Sequence, residues 1–167
     1  MFEYFSNYLY KLIFNRLFKK KTVVKSYNIK RKIKNIGIII GHNYDFDDFF
    51  IDNIASKFNI LKKNIFILDF NKKKYQFVNN YQYKKDDISF FGSLSGASKI
   101  FSNQDFDLLI NYFNSNRFLM NIISLKCNKK ISAGFINSDK RINDIVFSFS
   151  PENKDVFLNE IIKFTKN

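Results

Sequence analysis

Apolar and polar positions follow two rhythms along the chain. Short continuous apolar runs stand at residues 36–40 (IGIII), 64–70 (NIFILDF), 88–91 (ISFF), 108–110 (LLI), 131–135 (ISAGF) and 145–149 (IVFSF). Runs of this length between polar turn residues predict strands buried on both faces. Elsewhere the apolar residues recur at helical spacing. Phe50, Ile51, Ile54, Ala55 and Phe58 share one face of a predicted helix ending near 58. Phe118, Leu119, Ile122 and Ile123 share a second, and Phe157, Leu158, Ile161, Ile162 and Thr165 a third.

Helix-start chemistry supports these elements. Asp45 is a plausible N-cap with Asp48 three residues on. Ser115 or Asn116 can cap the second helix, and Ser95 a short one over 97–103. Ser150-Pro151-Glu152 reads as cap, first helical position and favoured acid for the last. Lys126, Lys129 and Lys130 gather where the second helix ends, as the helix dipole favours. Residues 71–86 read as a long polar loop with a short strand over 75–78.

Strand–helix–strand units of about 30 residues recur, the size of a βαβ unit. The expected architecture is therefore α/β, a three-layer Rossmann-like domain with a mainly parallel sheet over residues 35–167. A separate N-terminal amphipathic helix over 2–18 carries Phe2, Phe5, Leu9, Leu12, Ile13 and Leu17 as its apolar stripe.

Composition changes this picture mainly through charge. The formal net charge is +13, and Phe, Ile, Asn and Lys are heavily used, the bias of an AT-rich coding sequence. Part of the lysine excess reflects that bias. Its distribution is more informative. Residues 1–34 hold ten Lys/Arg and one acid, while the other 133 hold eighteen and fourteen. The cationic arm comprises Lys11, Arg16, Lys19, Lys20, Lys21, Lys25, Lys30, Arg31, Lys32 and Lys34. Three destinations stay open for it: its own core, an anionic membrane surface, or RNA and ribonucleoprotein.

A single cysteine, Cys127, allows no internal disulfide, and no Cys/His cluster offers a zinc site. Glu3, Lys11 and Arg16 interrupt any signal-peptide pattern, and there is no stretch of about 18 uninterrupted apolar residues, so no bilayer-spanning helix is expected. A cytoplasmic location, or one peripheral at the inner membrane face, is expected.

In an open parallel sheet, ligands bind beyond the carboxyl ends of the strands. That selects the loops at 41–45, 92–96 and 111–116. The first has Gly41 alone instead of G-x-G-x-x-G, and Asp45, Asp47 and Asp48 would repel a pyrophosphate there. No cofactor is expected. His42, the one histidine, could pair with Asp45; as acid–base catalyst or metal ligand it competes with an ordinary loop residue, and no metal is expected. Gly92, Ser93, Ser95 and Gly96 form the best candidate phosphate cradle, with a Ser/Gly turn as the plain alternative. Asn111, Asn114 and Asn116 could hold a sugar or amide, and Arg141 a phosphate.

The run FDLLINYFN…FLMNIISLKCNKKISAGF, followed by INDIVFSFSPENKDVFLNEIIKF, resembles an uncharacterised family of small bacterial proteins, mainly from Bacteroidota. More distantly, residues 106–111, 125–130 and 131–135 resemble the N-terminal half of the lipopolysaccharide heptosyltransferases. That likeness implies the Rossmann-like fold. It does not carry the activity: the sugar-nucleotide half of those enzymes is a second such domain, which these residues do not contain, and only Asp45 lies near the place of their early catalytic Asp. The expected function is a non-catalytic binding or adaptor protein whose basic arm meets an anionic partner. The alternative is a small enzyme or sensor for a phosphate- or sugar-containing ligand at the strand tips.

Overall fold

The computed structural model describes residues 2–21, 32–42, 44, 46–89, 91–115 and 117–166, the side chains of 2–7, 20, 21 and 166 excepted. Six strands form one all-parallel sheet: β1 (Ile36–Ile40), β2 (Ile65–Asp69), β3 (Asn79–Gln82), β4 (Asp105–Tyr112), β5 (Asn128–Phe135) and β6 (Ile145–Phe147). Their order is β3-β2-β1-β4-β5-β6, the doubly wound Rossmann-like order. The IGIII run is the central strand β1, and all five of its residues are buried. Its register sets Ile38 between Ile67 of β2 and Ile110 of β4.

Side-chain alternation along the strands builds two cores. Ile36, Ile38, Ile40, Leu108, Ile110, Tyr112 and Phe135 face one layer, where α2 (Asp48–Phe58) and α5 (Lys154–Lys166) cover them with Phe50, Ile54, Phe157 and Ile161. Ile39, Leu68, Leu109 and Phe113 face the other, covered by α3 (Gly96–Ser102), α4 (Phe118–Lys126) and α1 (Phe2–Lys21). The fold is thus the three-layer α/β sandwich expected from the sequence, with α1 packed into the second layer.

α1 docks with a different phase from the predicted stripe. Phe14, outside that stripe, is fully buried, with Tyr10, Ile13, Leu17 and Phe18 partly buried beside it, while Leu12 faces outward. Several boundaries also move. The N-cap of α2 is Asp47, whose Oδ1 accepts from Phe50 N–H at 2.7 Å; Asp45 lies outside the described residues. A cap of that kind contributes about 1 kcal/mol. The strand expected at 75–78 is absent: residues 76–78 form a turn, and the edge strand β3 begins at Asn79. Of the strand expected at 88–91, Ile88 makes only an isolated bridge to Leu94, and Ser89 and Phe91 lie in no strand; Phe90 lies outside the described residues. α5 starts at Lys154, and Pro151 sits in the preceding turn, where its carbonyl accepts from the Tyr112 hydroxyl. At the far end of α4, Lys129 Nζ donates to the Ser124 carbonyl, as the dipole argument expects.

Candidate functional site

The strand order reverses between β1 and β4, so the loops beyond them diverge at the place where this fold class takes ligands. Here the chain bridges that place with its own groups. Gly41 N–H donates to Tyr112 O at 3.1 Å, and a Cβ on Gly41 would lie 2.6 Å from the Phe113 Cβ. The Tyr44 hydroxyl accepts from Asn114 N–H at 3.0 Å. Asn114 Oδ1 in turn accepts from Asn137 N–H at 3.1 Å, and Asn71 Nδ2 donates to Gly41 O at 2.9 Å. The loops after β1, β2, β4 and β5 are therefore tied together, and Gly41 and Asn114 serve those ties.

His42 is exposed at this junction, its ring edge-on to Phe70 with centroids 5.6 Å apart. Partial burial and the nearby Arg117 charge hold its pKa below 6.5, against the opposing pull of Asp69. Asp69 itself is buried and accepts from the Tyr75 hydroxyl at 2.7 Å and from Asn71 N–H.

The candidate phosphate cradle holds a carboxylate. Asp87, buried beneath the start of α3, accepts from Ser98 N–H at 3.2 Å, Ser98 Oγ at 3.1 Å and Lys84 N–H at 3.3 Å. Gly96 adopts φ +49°, and a Cβ there would fall on Asp87 Oδ1. Ser95 gives α3 no side-chain cap; its Oγ donates to Asp86 O at 3.0 Å. A phosphate at 92–96 would have to displace Asp87. Ser93 N–H donates to Ser89 Oγ at 3.0 Å, and Gly92 packs on Ile13 of α1.

Asn111 is fully buried on the α4 side of the sheet. Its Nδ2 donates to Asn143 Oδ1 at 2.7 Å, and Asn143 Nδ2 donates to Ser138 Oγ at 3.0 Å. This is an interior polar seam that runs from the end of β4 to the loop after β5.

Arg141 is brought to α1. Its Nε and Nη2 donate to Asp139 at 2.9 and 2.7 Å, and Nη1 donates to Asn15 Oδ1 of α1 at 2.9 Å. The guanidinium lies 4.7 Å above the Phe14 ring and 5.4 Å from that of Phe18. Burial pushes the Asp139 carboxyl up, but the Arg141 hydrogen bonds outweigh it and hold the pKa below the ordinary value. Arg141 is thus a clamp joining the β5–β6 connection to α1.

The docked helix turns Tyr8, Lys11, Leu12, Arg16 and Lys19 to solvent. Lys11 and Arg16 make no ion pair among the described residues, in contrast to Lys130 with Asp107 and Lys154 with Asp47. Lys32 and Lys34 are exposed as well, and Lys34 N–H donates to Asp107 Oδ2 at 2.8 Å. Lys20 and Lys21 are placed by their backbone in α1; Lys25, Lys30 and Arg31 lie outside the described residues.

One cleft has no forerunner in the sequence reading. It holds about 450 Å³ between the starts of α2 and α5, lined by Phe49, Phe50, Asn53 and residues 152–156, with the Asp47–Lys154 ion pair at 2.9 Å across it. Two helix starts 107 residues apart meet there, a juxtaposition that no local spacing encodes.

Among the described residues, no group of three His, Cys, Asp or Glu side chains can hold a metal, and no helix is long and apolar enough to cross a membrane. No curated protein and no solved structure matches the chain. A family model does, over residues 7–167, so the matched unit takes in most of α1 together with the sheet and its helices. The chain belongs to this family, the family of unknown function DUF6913.

Proposed function

We propose that this is a non-catalytic binding or adaptor protein, with a Rossmann-like core that presents a cationic helix face to an anionic partner, either a membrane surface or RNA. The observation that carries this reading is the orientation of α1. Phe14 and the Arg141 clamp fix its inner side, and Lys11, Arg16 and Lys19 stand exposed along its outer side. Fixed, solvated cations on one rigid face attract polyanions at little ordering cost. The strand tips support the same reading. Their loops are tied across the switch point, and Asp87 fills the place where a phosphate would sit.

A second reading keeps a phosphate- or sugar-containing ligand at the strand tips. Arg117 favours it: it precedes α4, and its charge reaches His42 at the switch point. A stabiliser found by thermal shift among sugar phosphates and nucleotides, and lost in Arg117→Ala, would support that alternative.

The test of the first reading is salt-dependent retention of the whole chain on immobilised RNA and on anionic vesicles. The triple reversal Lys11→Glu/Arg16→Glu/Lys19→Glu should abolish retention on whichever partner binds. The same charge change at Lys57, Lys74 and Lys163, away from α1, should leave most of it. Equal loss from both triples would mean that only net charge matters and would refute the reading. Deleting residues 1–34 is the poorer test, because it removes Phe14 from the core.

A further inference from the structure

The outer side of α1 is not polar. Tyr8 is 62% exposed and Leu12 47%, on the helix side opposite buried Phe14. Tyr8, Leu12 and Arg16 follow at steps of four and so lie along one line, with Lys11 and Lys19 flanking it. Phe91 is 80% exposed, and the next residue, Gly92, packs on Ile13 of α1. A helix apolar on both sides is ordinarily buried on both. The core covers one side of α1, and the other meets water.

We infer that this outer face docks on an anionic lipid surface. Tyr8, Leu12 and Phe91 enter the boundary between headgroups and acyl chains, and Lys11, Arg16 and Lys19 lie against the lipid phosphates. The inference rests on the anionic-partner reading above and selects the partner. Charge complementarity requires the anion. The aliphatic Leu12 at the centre of the patch selects lipid over RNA: an aromatic can stack on a base, whereas Leu12 gains only from leaving water. No described helix can cross the bilayer, so the geometry is that of a helix lying in the interface plane. The clamp by Arg141 keeps α1 folded before contact, so docking does not carry the cost of forming the helix on the membrane.

The test is vesicle flotation with phosphatidylcholine alone and with phosphatidylglycerol added, beside single-stranded RNA in a gel-shift arm. Wild-type protein should float with the anionic vesicles only, and less as salt rises. Lys11→Gln/Arg16→Gln/Lys19→Gln should lower the partition coefficient about 100-fold. Tyr8→Ser/Leu12→Ser/Phe91→Ser should lower it roughly tenfold or more while the cations stay in place. Unchanged melting temperatures in both triples would show that the losses are not unfolding. Binding to RNA without flotation, or flotation that the serine triple leaves intact, overturns the lipid inference while the anionic-partner reading stands. Binding to neither vesicles nor RNA overturns both.

Discussion

Replacing Phe14 by Ala asks whether α1 is part of the folded unit. The ring is fully buried in the core layer that also holds Phe101, Leu125, Cys127 and Ile142, and the Arg141 guanidinium covers it at 4.7 Å. A buried Phe→Ala change costs about 3–5 kcal/mol, the upper end applying where the cavity cannot collapse. The lost cation–π contact adds about 0.5–1 kcal/mol, since Arg141 keeps contact with water. The expected loss is therefore about 4 kcal/mol. With a urea m-value of about 2 kcal/mol/M for a chain of this size, the midpoint should fall by about 2 M. Phe14→Leu should recover most of it, to within about 1.5 kcal/mol of wild type. A double-mutant cycle with Arg141→Ala should return a coupling of about 0.5–1 kcal/mol. If α1 were an independent arm, Phe14→Ala would behave as a surface change and stay within about 0.5 kcal/mol. A midpoint shift that small would refute the docked-helix account.

Two further outcomes follow from four carboxylates and one histidine. Asp87→Ala should destabilise by about 2–4 kcal/mol in urea titration, because Ser98 N–H and Lys84 N–H lose their buried acceptor beneath α3; a loss under about 1 kcal/mol would deny Asp87 that role. Stability should also fall with acid in two stages. His42, held below 6.5 by burial and Arg117, favours the neutral ring in the fold, so its contribution is present above pH 6.5 and declines as pH falls toward its folded pKa. For Asp47, Asp107 and Asp139, burial pushes the carboxyls up, but hydrogen bonds from Lys154, Lys130 and Arg141 outweigh it. Their folded pKa values lie below 3.8, so their contribution holds above that value and is lost as pH falls beneath it. Urea midpoints measured from pH 8 to 3 should decline mildly first and steeply last; a midpoint that rises on acidification would contradict both assignments.

The sheet was legible because its central strands are apolar on both faces. The IGIII, NIFILDF and FDLLINY runs leave little choice of element, and their spacing leaves little choice but parallel pairing. The polar edge strand β3 escaped because Asn79, Asn80 and Gln82 carry no strand signature; pairing with β2 and the Tyr75–Asn80 hydrogen bonds fix it instead. Residues 88–91 looked like a strand because they are apolar, yet Gly92 N–H donates to Ser89 O and turns the chain. The phase of α1 was ambiguous because apolar residues surround it; only packing on the core, with the Arg141 guanidinium over the ring, singles out Phe14. The Ser/Gly signal at 92–96 was real as loop chemistry, but a buried acid five residues upstream occupies the space, and spacing alone does not report it. The outer cations of α1, by contrast, were visible as charge. What the sequence lacked was which side of the helix would carry them outward.

The chain contains no tryptophan, which makes a single introduced one a clean reporter of that side. Leu12→Trp places an indole at the centre of the outer face. In buffer its emission should be that of a solvated indole. On titration with phosphatidylglycerol-containing vesicles it should shift to the blue and become inaccessible to aqueous quencher, with no change on phosphatidylcholine alone. An indole that stays solvated and quenchable at saturating anionic vesicle would contradict the central claim that this face of α1 is built to meet a lipid surface.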